Sequence, residues 1–166
     1  GVDLIIKVVN HKNFTKRLMI AGGDDIELLD LMVPINDKMT LLGSLPHSEI
    51  AKYLTQAEIT VIPSRCETYG ILLAEALCCG SPVVATNVGG IPEVISLAKE
   101  KLNQLQKEVF DRWVILVEPN VESIRNGISS ILNNNSPIKD YLALAPKFHS
   151  QFSWGKRLNQ FGRILA

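Results

Sequence analysis

The chain has little cysteine, no excess of either charge and no long uninterrupted apolar run. Its 17 Lys and Arg side chains balance its 17 Asp and Glu side chains, so the formal net charge is zero. Nucleic-acid-binding domains usually carry a basic excess, and the balance therefore argues against a nucleic-acid partner. The densest apolar stretch, Ile71 to Cys79, is interrupted by Glu75 and falls short of the roughly 20 apolar residues of a spanning helix. Membrane association through another part of a larger protein stays open.

The three cysteines, Cys66, Cys78 and Cys79, are odd in number, and two of them are adjacent. Adjacent cysteines rarely bridge each other, so we expect three free thiols, which are typical of a reducing compartment. A cytoplasmic location is the resulting prediction. The cysteines lack a CxxC spacing and the three histidines are scattered, so no metal site is predicted.

A length of 166 residues with 46% apolar side chains indicates one globular domain over residues 1–166. Short β-branched runs bounded by Gly or Pro alternate with helical patterns, which predicts an α/β fold. Runs that are apolar on both faces favour a doubly wound, Rossmann-like parallel sheet with helices on each side. The expected strands are Arg17–Ala21, Met39–Leu42, Ile59–Ile62, Pro82–Thr86 and Trp113–Val117.

The predicted helices begin with Gly1 to Asn10, and no strand precedes this helix. A doubly wound domain usually starts with a strand, so the first strand is expected to be missing from this sequence. The segment Ser96 to Asp111 is charged and amphipathic and is interpreted as an extended or additional helix. Other helical patterns cover Ser48–Ala57, Ile71–Leu77, Val121–Leu132, Pro137–Gln151 and Ser153–Ala166.

Small and polar residues follow the predicted strands, at the edge where parallel α/β sheets form a ligand crevice. They are Gly22–Asp24, Gly43–Ser44, Ser64–Glu67, Asn87–Gly90 and Glu118. This placement predicts a ligand site.

The stretch from Pro63 to Glu93 carries the chemistry of that site. Glu67 follows a strand, Gly70 allows close approach of a ligand to the backbone, and Glu75 lies within the next helix. The amino terminus of a helix favours an anionic or oxygen-rich ligand. Each carboxylate can accept two hydroxyl hydrogen bonds, strengthened by its charge. Such a pair suits a polyhydroxyl ligand such as a sugar or a ribose.

With these residues the chain resembles the retaining glycosyltransferases of the GT-B fold, in the group with two glutamates separated by seven residues. Glu67 and Glu75 have that separation. The segments Pro63–Ser64, Gly80-x-Pro-Val-Val-Ala and Gly89-Gly-Ile-Pro-Glu also fit the pattern, in the right order. The resemblance implies that the chain is the C-terminal, donor-binding half of such an enzyme.

The resemblance also implies roles for individual residues. Glu67 would lie at the reaction centre and bind hydroxyls of the donor sugar, without acting as nucleophile or general base, and Glu75 would bind the ribose hydroxyls. The donor would be a nucleoside-diphosphate sugar such as UDP- or GDP-hexose, with no further cofactor. The remaining donor-binding residues would be Thr68, Tyr69, Gly70 and Ile71 at the diphosphate or sugar, Gly43 and Ser44 at the base, and Gly22 beside the nucleotide.

The sequence also departs from the family pattern. The family's Arg and Lys that grip the diphosphate would precede Gly1, and the N-terminal domain that holds the acceptor would be the partner of this chain. Neither is part of the 166 residues, so this sequence alone is expected not to catalyse transfer.

Plainer interpretations stay open for several residues. Glu67 could cap the following helix, and Glu75 could pair with a basic residue such as Arg65. Gly89–Gly90 could be a simple turn. His47 is interpreted as a helix-start residue and not a base, and Tyr69 could either pack in the core or line the donor site.

For the whole chain, the alternatives are a non-catalytic or regulatory domain of the same fold and a sugar-nucleotide epimerase. A dinucleotide dehydrogenase is disfavoured because no GxGxxG motif follows a strand.

Overall fold

The structure is a computed structural model that describes residues 1–22 and 34–152. In these ranges five strands and eight helices alternate. In chain order they are α1 Val2–Val9, β1 Leu18–Ala21, β2 Met39–Gly43, α2 His47–Gln56, β3 Thr60–Ile62, α3 Ile71–Cys78, β4 Val83–Thr86, α4 Ile91–Lys99, α5 Gln104–Trp113, β5 Val114–Val117, α6 Val121–Leu132, α7 Ile138–Leu142 and α8 Ala145–Phe152. The predicted α/β class is confirmed, and the five predicted strands lie within a residue of the observed ones.

All strand pairings in the described ranges are parallel. Strands β1 and β2 form one sheet, and β3, β4 and β5 form another in that order. Within the described residues no ladder joins β1 to β3, so the doubly wound sheet is present as two separate pieces.

Helices cover both faces of the three-stranded sheet, as predicted. All four residues of β4 are buried, which requires cover on either side. On one side, helix α6 approaches so closely that a Cβ atom on Gly127 would lie 2.9 Å from a methyl group of Val84. The other side is covered by α3, which contacts β3 and β4.

The hydrophobic core is divided unequally between the two sheets. The larger cluster surrounds β3–β5, whereas the smaller one contains four buried residues, Ile6, Val9, Ile20 and Met39. Helix α1 contributes to both clusters, because Leu4, Ile5 and Val8 belong to the larger one. It therefore links the two sheets.

Three expectations about helices need correction. The additional helix expected in the segment Ser96 to Asp111 is present as α5, but its bounds differ: α4 continues to Lys99, and α5 begins only after Asn103, whose side chain forms a capping box with Gln106. The stretch Pro137–Gln151 is likewise divided into α7 and α8. Helix α3, expected to be buried, leaves Ile71 and Leu72 exposed. The predicted helix Ser153–Ala166 lies outside the described residues.

None of the helices in the described part of the chain is long and apolar enough to cross a membrane.

Candidate functional site

The loop after β3 is held by a buried threonine at the end of β4. The hydroxyl of Thr86 donates to the carbonyl oxygen of Ser64 at 2.6 Å and lies 3.3 Å from that of Ile62. Since Thr86 is completely buried, these hydrogen bonds fix the start of the loop that carries Glu67.

A second loop, at Gly89 and Gly90, packs backbone to backbone against the first. The N–H of Gly90 donates to the carbonyl oxygen of Glu67 at 3.0 Å. A Cβ atom at Gly89 would lie 1.7 Å from that same oxygen, and one at Gly90 would lie 2.5 Å from the carbonyl oxygen of Thr68. The two glycines therefore do more than form a turn, because they allow the crevice loops to touch.

The carboxylate of Glu67 lies at the amino end of α3. Its Oε1 atom accepts hydrogen bonds from the N–H groups of Gly70, at 3.2 Å, and Tyr69, at 3.4 Å. Gly70 makes this arrangement possible because it has a positive φ of 65° immediately before the helix. Glu67 therefore closes the turn just before α3, and no side chain of the described residues caps the first turn of this helix. The Glu67 carboxylate occupies N–H groups that the resemblance assigns to the donor.

The second carboxylate, Glu75, faces a histidine from another helix. The Nδ1 atom of His47, the first residue of α2, lies 3.3 Å from Glu75 Oε1. Glu75 is 34% exposed and His47 is 87% exposed. The carboxylate of Glu75 is therefore partly exposed and accessible to solvent or a ligand, although its neighbours in the sequence are apolar.

Arg65, the partner suggested for Glu75, pairs with Asp3 of α1 instead. Its two terminal nitrogens contact the two carboxylate oxygens of Asp3 at 2.6 and 2.7 Å. The hydrogen bonds from Arg65 lower the pKa of Asp3 to about 2, against the opposing effect of its burial. This bidentate pair attaches the Glu67 loop to the first helix.

Gly22 and Gly43, the residues predicted at the nucleotide and its base, lie next to each other. The N–H of Gly22 donates to the carbonyl oxygen of Gly43 at 2.8 Å. The following residue, Ser44, is exposed and lies three positions before His47. The chain from Gly43 to His47 therefore connects the β1–β2 end of the crevice to Glu75.

The remaining predicted residues are open to solvent at the start of α3. Tyr69 is 71% exposed and Ile71 is 56% exposed, and Thr68 is exposed as well. Packing of Tyr69 in the core is therefore excluded, and an apolar surface lies beside Glu67.

The three cysteines are free thiols, as expected. Cys66 is exposed, next to Glu67. Cys78 is half-buried, and its burial raises the pKa of the thiol to about 11, with smaller contributions from Cys79 and Glu75. In the part of the chain that the structure describes, no three Cys, His, Asp or Glu side chains gather as they would around a metal ion.

Sequence reasoning missed the two side-chain contacts that connect the segments of the crevice, Asp3–Arg65 and His47–Glu75. His47 begins a helix shortly after a strand that ends in glycine, and helices that start there begin at the crevice. This pattern could have predicted that His47 contacts a residue of the site. Nothing in the sequence indicated the pairing of Arg65 with Asp3, which are 62 positions apart.

The fold is shared with a solved sugar-nucleotide complex. The Anabaena protein HepE, determined in complex with UDP-glucose, superposes with a TM-score of 0.75 at 17% identity over 99% of this chain and 44% of that one. The domain thus has the α/β fold of one half of a GT-B glycosyltransferase.

The chain belongs to the family of glycosyl transferases group 1, whose family model matches residues 1–146. It is 27% identical to an uncharacterized glycosyltransferase of Methanocaldococcus jannaschii over 94% of this chain and 41% of that protein. It is 33% identical to the Gpi3 subunit of phosphatidylinositol N-acetylglucosaminyltransferase from Schizosaccharomyces pombe, over 57% of this chain and 22% of the relative. The chain thus spans less than half the length of the curated relatives it matches.

Proposed function

We propose that this chain is the donor-binding domain of a retaining glycosyltransferase that transfers a hexose from a nucleoside diphosphate to a hydroxyl acceptor. The acceptor would be held by an N-terminal domain that completes the enzyme. In this proposal residues 1–166 form a single domain whose crevice takes the donor.

The observation that supports the proposal most strongly is the position of the two carboxylates. Glu67 lies just before the amino end of α3, and Glu75 lies further along the same helix. Glu75 is in contact with His47, which follows Gly43 and Ser44 in the chain. Two partly exposed carboxylates can accept hydrogen bonds from two vicinal hydroxyl pairs, as a sugar and a ribose in one ligand would offer. We assign Glu75 to the ribose and Glu67 to the sugar.

Binding of the donor would exchange one set of hydrogen bonds for another. Glu67 accepts from the N–H groups of Tyr69 and Gly70 in this structure. If its carboxylate turns to the sugar hydroxyls, those N–H groups become available to a phosphate at the helix amino end. The hydrogen bonds of the turn before α3 would thus be replaced by contacts with the ligand.

The proposed chemistry requires no nucleophile from this chain. The acceptor oxygen forms its bond to the anomeric carbon on the face from which the diphosphate leaves, and the departing diphosphate takes the acceptor proton. The protein contributes positioning and charge stabilisation. No metal or cofactor is part of the proposal, and the free thiols support a cytoplasmic location.

The names of the relatives indicate which donors should be tested first. A structural neighbour binds UDP-glucose, and a relative is a subunit of an N-acetylglucosaminyltransferase. UDP, UDP-glucose and UDP-N-acetylglucosamine therefore head a panel that also contains the GDP and ADP sugars.

The test is ligand-observed NMR of this panel on the native chain and two variants. Glu75→Ala should weaken the binding of UDP and UDP-sugar alike, by about tenfold to a hundredfold, because charged hydrogen bonds of about 1.5–3 kcal/mol are lost. Glu67→Ala should leave UDP unchanged and weaken only the sugar-bearing ligand.

The matched control is Glu49→Ala, which removes an exposed carboxylate of α2 and should change nothing. Equal losses for UDP and UDP-sugar in both site variants would contradict the division of roles. A chain that stays folded and binds no member of the panel would favour the alternative, a non-catalytic domain of the same fold.

A further inference from the structure

The loop that carries Glu67 is held by its backbone at two places. Before the glutamate, the hydroxyl of Thr86 donates to the carbonyl oxygen of Ser64 at 2.6 Å. At the glutamate itself, the N–H of Gly90 donates to the backbone carbonyl oxygen of Glu67 at 3.0 Å. Arg65 lies between these two anchors, so a contact of its side chain fixes the stretch that leads to Glu67.

Arg65 attaches this stretch to helix α1. Its two terminal nitrogens contact the two carboxylate oxygens of Asp3 at 2.6 and 2.7 Å, a bidentate geometry that fixes orientation as well as distance. The side chain of Asp3 is 13% exposed. The hydrogen bonds from Arg65 lower the pKa of Asp3 to about 2, so the carboxylate is ionised at neutral pH. The pair is therefore in place under the conditions in which a donor would bind.

Helix α1 is a firm base for this attachment. Five of its residues are buried, and they are shared between the two core clusters. At the start of the helix, a Cβ atom on Gly1 would lie 1.7 Å from the carbonyl oxygen of Pro63, so the backbone of the helix start and that of the loop lie in close contact. The helix cannot shift relative to the loop without disturbing the core.

A second cation near Asp3 separates the effect of charge from the effect of attachment. The Nζ atom of Lys7 lies 3.6 Å from Oδ2 of Asp3. The side chains of Lys7 and Arg65 are equally exposed, at 52%. Lys7 belongs to α1 itself, one turn after Asp3, so its contact attaches no other segment to the helix. Of the two cations, only Arg65 connects Asp3 to the Glu67 loop.

We propose that Asp3 and Arg65 are positioning residues of the donor site, whose pair holds the loop so that the carboxylate of Glu67 meets the hydroxyls of the donor sugar. This inference rests on the proposed function, in which Glu67 binds the sugar. The nucleotide should depend much less on the pair, because α3 is fixed separately by Leu73 and Leu77, which are completely buried.

The test compares affinities for UDP and UDP-glucose, measured by ligand-observed NMR. Asp3→Asn and Arg65→Gln should each weaken the binding of UDP-glucose about fivefold and that of UDP by less than about twofold. The double variant should lose no more than either single variant, because both act through one contact. Arg65→Lys, which keeps the charge but not the planar fork, should lie between the native chain and Arg65→Gln. Lys7→Gln is the matched control and should change neither affinity.

A second measurement needs no ligand and separates failure of this inference from failure of the proposed function. In the free chain, the amide chemical shifts of Glu67 and Gly70 should change in Asp3→Asn, which is distant from both in the sequence. They should stay as in the native chain in Lys7→Gln. If the native chain binds neither UDP nor UDP-glucose, the proposed function fails for this donor, and the shifts decide whether the pair positions Glu67.

Three results would overturn the inference. One is an Asp3→Asn variant that binds UDP-glucose as tightly as the native chain, or whose shifts at Glu67 and Gly70 are unchanged. Another is an Arg65→Gln variant that weakens UDP and UDP-glucose alike while Asp3→Asn weakens neither, since Arg65 would then contact the nucleotide itself. The third is an equal loss of UDP-glucose binding in Lys7→Gln, since the charge around Asp3 would then matter and not the attachment of the loop.

Discussion

The two sheets of this domain differ in how firmly they are built. The three-stranded sheet is surrounded by the larger core cluster, and β4 is buried along its whole length. Among the described residues, the two-stranded sheet packs on a cluster of four buried residues, and Met19 of β1 is half exposed. The loops of Glu67 and Gly89–Gly90 follow strands of the three-stranded sheet, whereas Gly22, Gly43 and Ser44 lie at the ends of the two-stranded sheet.

This difference shows how the candidate site divides its tasks. The end of the crevice that we assign to the sugar is fixed by buried hydrogen bonds and contacting loops, and the end that we assign to the base is supported by the smaller core cluster. Among the described residues, α1, Phe14 and Leu18 pack against both clusters. The two ends are also connected by the pairs Asp3–Arg65 and Lys16–Glu58 and by the His47–Glu75 contact. The base end should therefore yield first when the domain is perturbed.

The largest effect should come from truncating the core, and it should differ between the sheets. Leu73→Ala, at a completely buried position of α3, should lower the free energy of unfolding by about 3 kcal/mol or more. Ile20→Ala, in the four-residue cluster, should cost about 2 kcal/mol, since fewer neighbours lose contacts. Urea unfolding of both variants measures this, and an equal or larger loss for Ile20→Ala would show that the two sheets are equally well packed.

The next largest loss of stability is expected for glycine substitutions, one at each sheet. In Gly90→Ala the new Cβ atom would lie 2.5 Å from the carbonyl oxygen of Thr68, so the Glu67 loop has to move, at a cost of about 2 kcal/mol. In Gly43→Ala nothing lies within 4 Å, but φ is +63°, so the cost is about 1 kcal/mol of backbone strain. Thermal unfolding gives both values.

Amide chemical shifts provide the second measurement for this pair. They should change around Glu67 in Gly90→Ala and not in Gly43→Ala. A Gly90→Ala variant as stable as the native chain, with unchanged shifts at Thr68, would mean that the loops do not touch as described.

Most of the fold could be predicted from the sequence because its elements are local patterns. Each strand is a short β-branched run ended by Gly or Pro, and α6 shows its apolar spacing directly, so even the bounds of Val121–Leu132 are the same. The break between α4 and α5 was missed because it depends on one capping box at Asn103, inside a stretch that has a continuous helical pattern.

The places of the candidate site residues in the fold could be predicted from the sequence, but their contacts could not. Motif order places Glu67, Gly70 and Glu75 on one strand–loop–helix unit, and the structure has them there. The partner of each carboxylate depends on chain segments that are distant in sequence or on loop conformation. Examples are the His47–Glu75 contact and the close approach of Gly89 to Glu67.

A smaller effect is expected at the ion pair that attaches α1 to the Glu67 loop. The pKa of Asp3 is lowered from 3.8 to about 2 in the folded chain. Its contribution to stability is therefore present above pH 3.8 and disappears as the pH falls towards 2. Asp3→Asn should lower stability at pH 7 by less than either glycine substitution, because Arg65 is half exposed and solvent screens the pair.

Urea unfolding at a series of pH values tests this assignment. The difference between native chain and Asp3→Asn should shrink steadily below pH 3.8, whereas Glu58→Gln, which removes an exposed pair, should show little difference at any pH. A gap between native chain and Asp3→Asn that stays constant down to pH 2 would mean that the charge of Asp3 is not what stabilises the contact.

The smallest effect on stability is expected at the contact that bridges the two ends of the crevice. His47 is 87% exposed, so His47→Ala should change the free energy of unfolding by less than about 0.5 kcal/mol. The control His11→Ala, at another exposed histidine, should have an equally small effect.

The two variants should differ instead in their affinity for UDP, measured in titrations followed by NMR. Of the two histidines, only His47 contacts Glu75, the carboxylate that we assign to the ribose. An affinity for UDP that is altered in His47→Ala and unchanged in His11→Ala would show that the base end and the sugar end are coupled through Glu75. Identical affinities would reduce the His47 contact to a surface pairing and leave α1 and its ion pairs as the connection between the two halves.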